Sequence, residues 1–327
     1  MNAPRLRPAV ARALRSGRAP RVTVFRPGAL GDTVLTLPAL RLMRRACPAA
    51  VLTLVGSRWA EGLRPLLDLP LRVVRFGSPQ LTLLFLPGAG SDPTGLAAEA
   101  DLVIIYGRSE GDELAGNAAR LCRGAVLSWP VEPEAGTHAA LHFARAVAEL
   151  DAGELPLPAL GVPPEARAWA AQWLADRLPG PSPIAVHPGS GSANKCWPAA
   201  RFAALIERIS GSVLVLRGPA DGAPCKELAR RLGGRGNIAE AVAPGVPQLA
   251  GLIGACRAFI GNDSGVSHLA AALGVPTVAV YGRTDPAVWS PLGPAVRAVG
   301  DGTGWPEVPD VLAALRELGG ARGPGPA

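Results

Sequence analysis

Lysine is almost missing from this chain: of 33 basic side chains only Lys195 and Lys226 are ammonium groups, and the rest are arginines. The formal charge of +7 is therefore carried almost wholly by guanidinium groups. That imbalance often reflects GC-rich coding. The charge suits an anionic substrate, an anionic membrane surface or nucleic acid, and does not choose among them. Aromatics are scarce at 5% and form no basic-aromatic repeat, which disfavours nucleic acid. The cysteines Cys47, Cys122, Cys196, Cys225 and Cys256 are odd in number, widely spaced and without a CxxC pair. They indicate neither a disulfide framework nor a zinc site, and they suit a reducing cytoplasm. No apolar run is long enough to span a bilayer, the patch Leu81 to Leu86 being far too short. Residues 1–20 carry Arg5, Arg7, Arg12, Arg15 and Arg18, no acid, and no continuous apolar core of the kind a signal peptide needs. They are expected to form a disordered basic tail; a salt-sensitive contact with anionic lipid headgroups is the sharper alternative.

What remains is a chain of 327 residues with 48% hydrophobic content, enough for two cores of ordinary size. Apolar strands alternate with helical segments. Arg21 to Phe25, Val51 to Val55, Arg72 to Phe76 and Asp101 to Tyr106 read as strands. Helices are expected from near Asp32, from Ser57 to Leu67, and around Asp112 to Leu121 and His138 to Leu150. Pro38 either kinks the first helix or restarts it with Thr36 as cap. The segment DAGELPLPALGVPP, Asp151 to Pro164, interrupts any regular element and reads as an interdomain linker. Alternation then resumes: strands Ile184 to His187 and Val213 to Leu216, and helices Pro198 to Ile209, Lys226 to Leu232 and Pro247 to Ala255. Two tandem α/β domains with parallel sheets are the expected fold class, at 21–150 and 179–305. The linker with its hinge helix occupies 151–178, and a final helix and frayed tail occupy 306–327.

One stretch stands out, FIGNDSGVSHLAAALGVPTVAVYG from Phe259 to Gly282. Asn262, Asp263 and Ser264 are good capping types, and Val266, Leu269, Ala270 and Leu273 recur at helical spacing. A helix start near Ser264, with Gly265 allowing close approach, favours an anion such as phosphate. A well-capped crossover helix in a parallel sheet accounts for the same pattern.

Three more turns lie at the carboxyl ends of expected strands, where open α/β sheets bind ligands. Pro27 to Asp32 is a tight turn with Asp32 at a helix start; a favourable first-turn carboxylate is the plain reading. It is neither a Walker A loop nor a GxGxxG fingerprint. In the turn from His187 to Pro198, Ser190 and Ser192 offer hydroxyl donors and Lys195 a mobile cation, or else an ordinary solvated loop lysine. In Arg217-Gly218-Pro219-Ala220-Asp221 the carboxylate suits sugar hydroxyls, and a solvated turn explains it equally. His268, one turn into the anion-facing helix, suits either a ligand hydrogen bond or packing. His187 and the tryptophans read as structural. His138 and His142 lack the Glu of an HExxH motif, so no metal is assigned.

Taken together, RPGALGDTVLTLPALRLMRR, HPGSGSANKCWPAARFAALIERI, LRGPAD and FIGNDSGVSHLAAALGVPTVAVYGRTDP resemble, in order and spacing, the ADP-heptose:lipopolysaccharide heptosyltransferases of glycosyltransferase family 9. THAALHFARAV looks like the family's hinge segment. The resemblance runs from about Arg21 to Gly293 and implies a GT-B fold, two Rossmann-like domains facing each other across a cleft, with the nucleotide sugar held mainly by the C-terminal one. It implies a metal-independent, inverting transfer without a cofactor, the donor being an ADP-sugar substrate, ADP-heptose or a related sugar. Asp32 would be the general base that activates an acceptor hydroxyl. Lys195 with Asp263, Ser264 and Gly265 would hold the leaving diphosphate, as would Ser190 and Ser192. Asp221 would hold the ribose, although glutamate is commoner there, and His268 falls on the family's histidine. The acceptor would be lipopolysaccharide-type, lipid-linked or another glycan, met at the cytoplasmic face of the membrane by a peripheral protein. A catalytically inactive nucleotide-sugar-binding partner or regulator of the same fold is the alternative. A dehydrogenase is disfavoured by the missing fingerprint.

Overall fold

The computed structural model describes residues 5–15, 18–107 and 112–319. The chain divides into two compact units, Met1–Pro158 and Ala159–Ala327.

The first unit begins with β1 (Arg5–Leu6) and α1 (Pro8–Ala13), followed by β2 (Arg21–Arg26), α2 (Leu30–Ala46), β3 (Val51–Gly56), α3 (Arg58–Leu63) and β4 (Leu71–Arg75). Then come β5 (Leu102–Gly107), α4 (Glu113–Leu121), β6 (Ala125–Pro130), α5 (Ala139–Arg145) and β7 (Ala148–Glu149). Its main sheet has the order β4-β3-β2-β5-β6, parallel throughout. In β2 every residue after Arg21 is buried, as a strand covered on both faces requires. Phe25 pairs in register with Val55 and Ile105, and on one face these three pack with Leu81, Leu84 and Leu114.

Two expectations change here. Residues 5–15 are not a tail: Arg5–Leu6 pairs antiparallel with Ala148–Glu149, and Val10, Ala13 and Leu14 are buried. Val10, Ala13 and Leu14 stand at i, i+3 and i+4, an apolar stripe that the arginines around it disguise. Arg7 lies over the Trp129 ring at 4.6 Å, and its Nε donates to the Arg145 carbonyl. The rest of the expected tail at 1–4 and 16–17, and the frayed end at 320–327, lie outside the described residues. Nor does α2 restart at Pro38. It runs through as one helix, and Thr36, fully buried, turns its hydroxyl back to the Asp32 carbonyl at 2.8 Å instead of capping a new turn. Proline then removes only one helical N–H.

The second unit contains α6 (Pro164–Ala175), β8 (Ile184–His187), α7 (Ala199–Ile206), β9 (Val213–Arg217), α8 (Gly222–Leu232), β10 (Ile238–Val242) and α9 (Val246–Gly254). It continues with β11 (Ala258–Asn262), α10 (Gly265–Ala272), β12 (Thr277–Val280), α11 (Pro286–Trp289), β13 (Val296–Val299) and α12 (Val308–Gly319). The sheet order β10-β9-β8-β11-β12-β13, all parallel, is the doubly wound Rossmann order. Its switch point lies between β8 and β11. Val186, Val215, Ile260 and Val280 form the sheet's contribution to a core closed by Trp197, Phe202 and Leu228.

The chain division falls inside the stretch read as a linker, and α6 belongs with the second unit, where it packs on α9. Gly251 makes that approach possible, because a Cβ there would stand 2.4 Å from the Ala166 carbonyl oxygen. Gly251→Ala must push the two helices apart, and we expect a loss of about 1–3 kcal/mol for such overpacking, measured by denaturant unfolding. Unchanged stability would mean that α6 is not held at this contact.

Candidate functional site

In each unit, a polar cluster forms where strands end. In the first, β2 finishes in Arg26 and the chain turns through Pro27, Gly28 and Ala29 into α2. Asp32, the third residue of that helix, reaches back to accept the Ala29 N–H through Oδ2 at 2.8 Å. Its Oδ1 accepts from Arg26 Nη2 at 2.9 Å. The turn closes over this carboxylate so tightly that a Cβ on Gly28 would lie 2.5 Å from the Asp32 Cβ. Ser57, which caps α3, also donates to the Gly28 carbonyl at 2.5 Å. The Arg26 side chain is 5% exposed while that of Asp32 is 30% exposed, so the carboxylate is fixed from below and open from above. Arg26 itself lies over the Phe143 ring at 4.7 Å, beside buried Tyr106, whose hydroxyl donates to the Phe143 carbonyl. Burial pushes the Tyr106 phenol up despite the nearby Arg26 charge, so it stays protonated.

In the second unit the turn after β8 and the turn after β11 are tied together. Asn262, fully buried, donates from Nδ2 to the carbonyls of Pro188 (2.9 Å) and Gly189 (3.1 Å) and accepts the Trp197 N–H at 2.9 Å. The loop between these contacts carries Ser190, Ser192 and Lys195. Ser190 donates to the Asp263 carbonyl at 2.7 Å. Lys195 Nζ donates to Asp263 Oδ2 at 2.8 Å, and Thr284 Oγ1 donates to the same oxygen at 2.8 Å. The Asp263 side chain is 8% exposed and that of Lys195 35% exposed. Lys195, Ser190, Asp263, Ser264 and Gly265 therefore gather at one switch point. Ser192 is exposed and bonded to Asn194, away from the carboxylate.

The helix start differs from its expected form. Ser264 is the N-cap of α10, with extended backbone, yet its side chain makes no capping bond. Its hydroxyl lies 3.2 Å from His187 Nδ1 and 3.4 Å from Ser267 Oγ, while Asp263 turns to Lys195 and Asn262 to the loop. The first turn of α10 thus keeps backbone N–H donors without a side-chain cap.

Asp221 also departs from expectation. Its carboxylate is not presented outward for hydroxyls: it is buried, accepts His187 Nε2–H at 2.9 Å and the Gly218 N–H at 2.7 Å through Oδ2, and sits directly beneath Gly189. A Cβ on Gly189 would lie 2.0 Å from its carboxyl carbon. Burial works to raise the Asp221 pKa, but the His187 hydrogen bond and charge, the Gly218 N–H and Arg217 outweigh it and hold the carboxyl below its usual range. His268 is buried, and its N–H donates to the Ser264 carbonyl at 3.3 Å. His142 donates to the Pro130 carbonyl and His138 caps α5. Among the described residues, no cluster of His, Cys, Asp or Glu is arranged to hold a metal ion.

Arg26, Thr284 and the bridging role of His187 are absent from the sequence reading. A signal existed for two of them: an arginine closing an otherwise apolar strand, and a histidine ending another, each need a polar partner once buried.

A family model for glycosyltransferase family 9 (heptosyltransferase) matches residues 126–310, more than half of the chain. Among curated proteins, the chain is 32% identical over 113 residues to lipopolysaccharide heptosyltransferase 3 of Escherichia coli, covering 33% of each. The match thus spans about a third of that relative's length. Among solved structures, that of E. coli ADP-heptose lps heptosyltransferase II superposes with a TM-score of 0.74 at 19% identity, over 91% of this chain and 98% of the other. E. coli heptosyltransferase WaaC with ADP gives 0.63 at 18% identity, over 91% and 99%. Likeness at this identity establishes the fold, which is GT-B. With the family model spanning both the end of the first unit and nearly all of the second, the chain belongs to glycosyltransferase family 9.

Proposed function

We propose that this protein moves heptose, or a related sugar, from an ADP-sugar donor to a lipopolysaccharide-type or other glycan acceptor. The transfer inverts the anomeric configuration and needs no metal. Supporting this reading above all is the Lys195 ammonium, held at the start of α10 by the buried Asp263 carboxylate in a chain of this family. Glycosyl transfer leaves negative charge on a departing diphosphate. Cationic and N–H donors arranged in advance stabilise that charge without reorganising during the reaction. An ammonium has three N–H donors, and Asp263 occupies one of them. Ser190, Ser264 and the Gly265 turn line the same switch point, so the second unit is the donor side. ADP follows from the relatives, one solved with ADP and another named for ADP-heptose.

Asp32 serves as the general base of the first unit. Arg26 and the Ala29 N–H each occupy one lone pair, orienting the carboxylate and leaving the remaining lone pairs to accept an acceptor hydroxyl's proton. A single displacement with a base on the attacking oxygen and donors on the leaving oxygen inverts the carbon between them. The acceptor is lipid-linked or another glycan, and the protein acts peripherally at the cytoplasmic face of the membrane. Among the described residues no helix is long and apolar enough to cross it.

Asp32→Ala lowers the transfer rate roughly 10²–10⁴-fold, the range of a lost general base, while ADP affinity is retained; full activity would remove Asp32 from the mechanism, whereas a wild type that binds donor without transferring it would favour a binding protein. Lys195→Ala weakens ADP binding about ten- to a hundredfold, the equivalent of one charged hydrogen bond, in calorimetric titration. Adding Asp263→Asn should restore part of that loss, because the lone buried carboxylate otherwise repels the phosphates. A thermal-shift screen of nucleotide sugars ranks ADP-heptose above UDP and GDP sugars, NMR of the product reads the inverted anomer, and chelator leaves the rate unchanged. A UDP preference or a retained anomer would overturn the corresponding part of the proposal.

A further inference from the structure

The donor-site reading leaves buried His187 without a task. His187 ends β8 at the switch point, 3% exposed, with one ring nitrogen on a carboxylate and the other on a hydroxyl. Nε2 lies 2.9 Å from Asp221 Oδ2, and Nδ1 lies 3.2 Å from Ser264 Oγ. An ionised carboxylate only accepts, so Nε2 carries a proton and donates it to Asp221. Nδ1 is then the variable atom. In the neutral ring it accepts, and the Ser264 hydroxyl must donate inward to it. In the imidazolium it donates, and the Ser264 proton is released.

The other neighbour of Ser264 offers only a long, weak alternative. Ser267 Oγ donates to the Asn262 carbonyl at 2.6 Å, so its single proton is in use, and it can only accept from Ser264, at a long 3.4 Å. The direction of the Ser264 hydroxyl therefore depends on His187. A phosphate oxygen arriving at the start of α10 is an acceptor and needs that hydroxyl to point outward.

We propose that His187 is a positioning residue whose protonation turns the Ser264 hydroxyl toward the donor diphosphate, so that diphosphate binding takes up a proton at His187 with Asp221 as counter-ion. This rests on the second unit being the donor side. The proton comes from solvent and binds Nδ1. The new Nδ1–H donates to Ser264 Oγ, the serine proton rotates to the phosphate oxygen, and no covalent bond other than N–H changes. Asp221 makes the buried imidazolium tolerable, as a paired charge rather than an isolated one. The surrounding groups agree with that assignment. From β9, Arg217 bears on Asp221 and lies 3.8 Å from Glu240 of β10. The thiols of Cys196 and Cys225 are held protonated, first by burial and then by the Asp221 charge, so they do not compete for the site. On the loop and before α10, Lys195 and Asp263 neutralise one another.

The test is calorimetric titration of the full-length protein with ADP in two buffers of different ionisation enthalpy, which counts protons taken up per nucleotide. ADP's own phosphate titration is common to all variants, so the difference between variants isolates the protein's share. Wild type is expected to take up more protons than His187→Asn near pH 7.5. Its ADP affinity should fall as pH rises, by up to about tenfold per unit where the linkage is complete, one proton corresponding to a slope of one. Ser264→Ala leaves His187 in place and removes the reporting hydroxyl, so it should lose the extra proton uptake as well; it carries the test where His187→Asn does not fold. Asp221→Asn should shift the affinity loss to lower pH. Equal proton counts in wild type and a folded, ADP-binding His187→Asn or Ser264→Ala would overturn the inference while leaving the donor site standing. Failure of wild type to bind ADP would overturn both.

Discussion

The turns after β8 and β11 depend on one side chain whose hydrogen bonds leave no slack. Asn262 ends β11 fully buried, and its amide bridges two carbonyls and one N–H of the turn that follows β8. Each of those backbone groups would cost about 1–3 kcal/mol if left buried and unpaired. The amide is thus both a stabilising contact and a ruler: it sets how far the Lys195 loop stands from the start of α10. Trp197, at the far end of that loop, is anchored again by Nε1 to the Pro306 carbonyl and edge-on to Phe202. Lys195 therefore projects from a segment fixed at both ends, which is the precondition for an ammonium to hold one position before a ligand arrives.

Each unit repeats the same device, a charged or titratable side chain at or after the end of a strand paired with an acid from a strand-ending turn or the start of a helix. Arg26 has Asp32, His187 has Asp221, and Lys195, one loop further, has Asp263. Pairs of this kind are weak evidence for stability, since desolvating two charges offsets much of their attraction. Apolar residues of similar size would fill the same space without that penalty. What the pairs supply is therefore orientation rather than stability. Arg26 fixes one oxygen of Asp32 and leaves the carboxylate nearly a third exposed, and Asp263 fixes one proton of Lys195 and leaves the ammonium about equally exposed. Only the pair of His187 and Asp221 is closed on both sides, so it acts through Ser264 rather than by touching a ligand.

How far this was legible in the residues follows from burial. Strands β2, β3, β5, β8, β9, β11 and β12 are short apolar runs because both faces of a parallel sheet are covered, and their runs can be read directly. Strands β6, β10 and β13, at or near the sheet margins, carry mixed burial, as in Ile238–Val242, and their sequences lose the apolar run that marks a strand. The N-terminal segment misleads for the opposite reason: five arginines dominate its composition, while the three apolar residues that seat α1 are too few to change it. The turns at the strand ends were legible as places, because glycines and capping types cluster there. The partners inside them were not. Asn262, Asp263 and Ser264 are all capping types, yet in the folded chain each turns to a long-range partner, and no local spacing encodes that.

Asp221 and Lys195 show how charge decides what composition leaves open. A carboxylate at a strand-ending turn suits sugar hydroxyls, but a buried one takes the nearest strong donor. For Asp221 that is His187 Nε2, within a recess that Gly189 and Gly218 leave free of side chains. Lysine is the converse case. In a chain whose 33 cationic residues include two lysines, one of them stands where a carboxylate and the proposed diphosphate must both be satisfied. A guanidinium is a planar fork that matches a carboxylate with two parallel bonds, and Asp263 would absorb it. An ammonium is a compact charge with three divergent donors; one goes to Asp263 and the others point elsewhere. Arginine at 195 would strengthen the pair and weaken the site, which gives a physical reason for a lysine at this position.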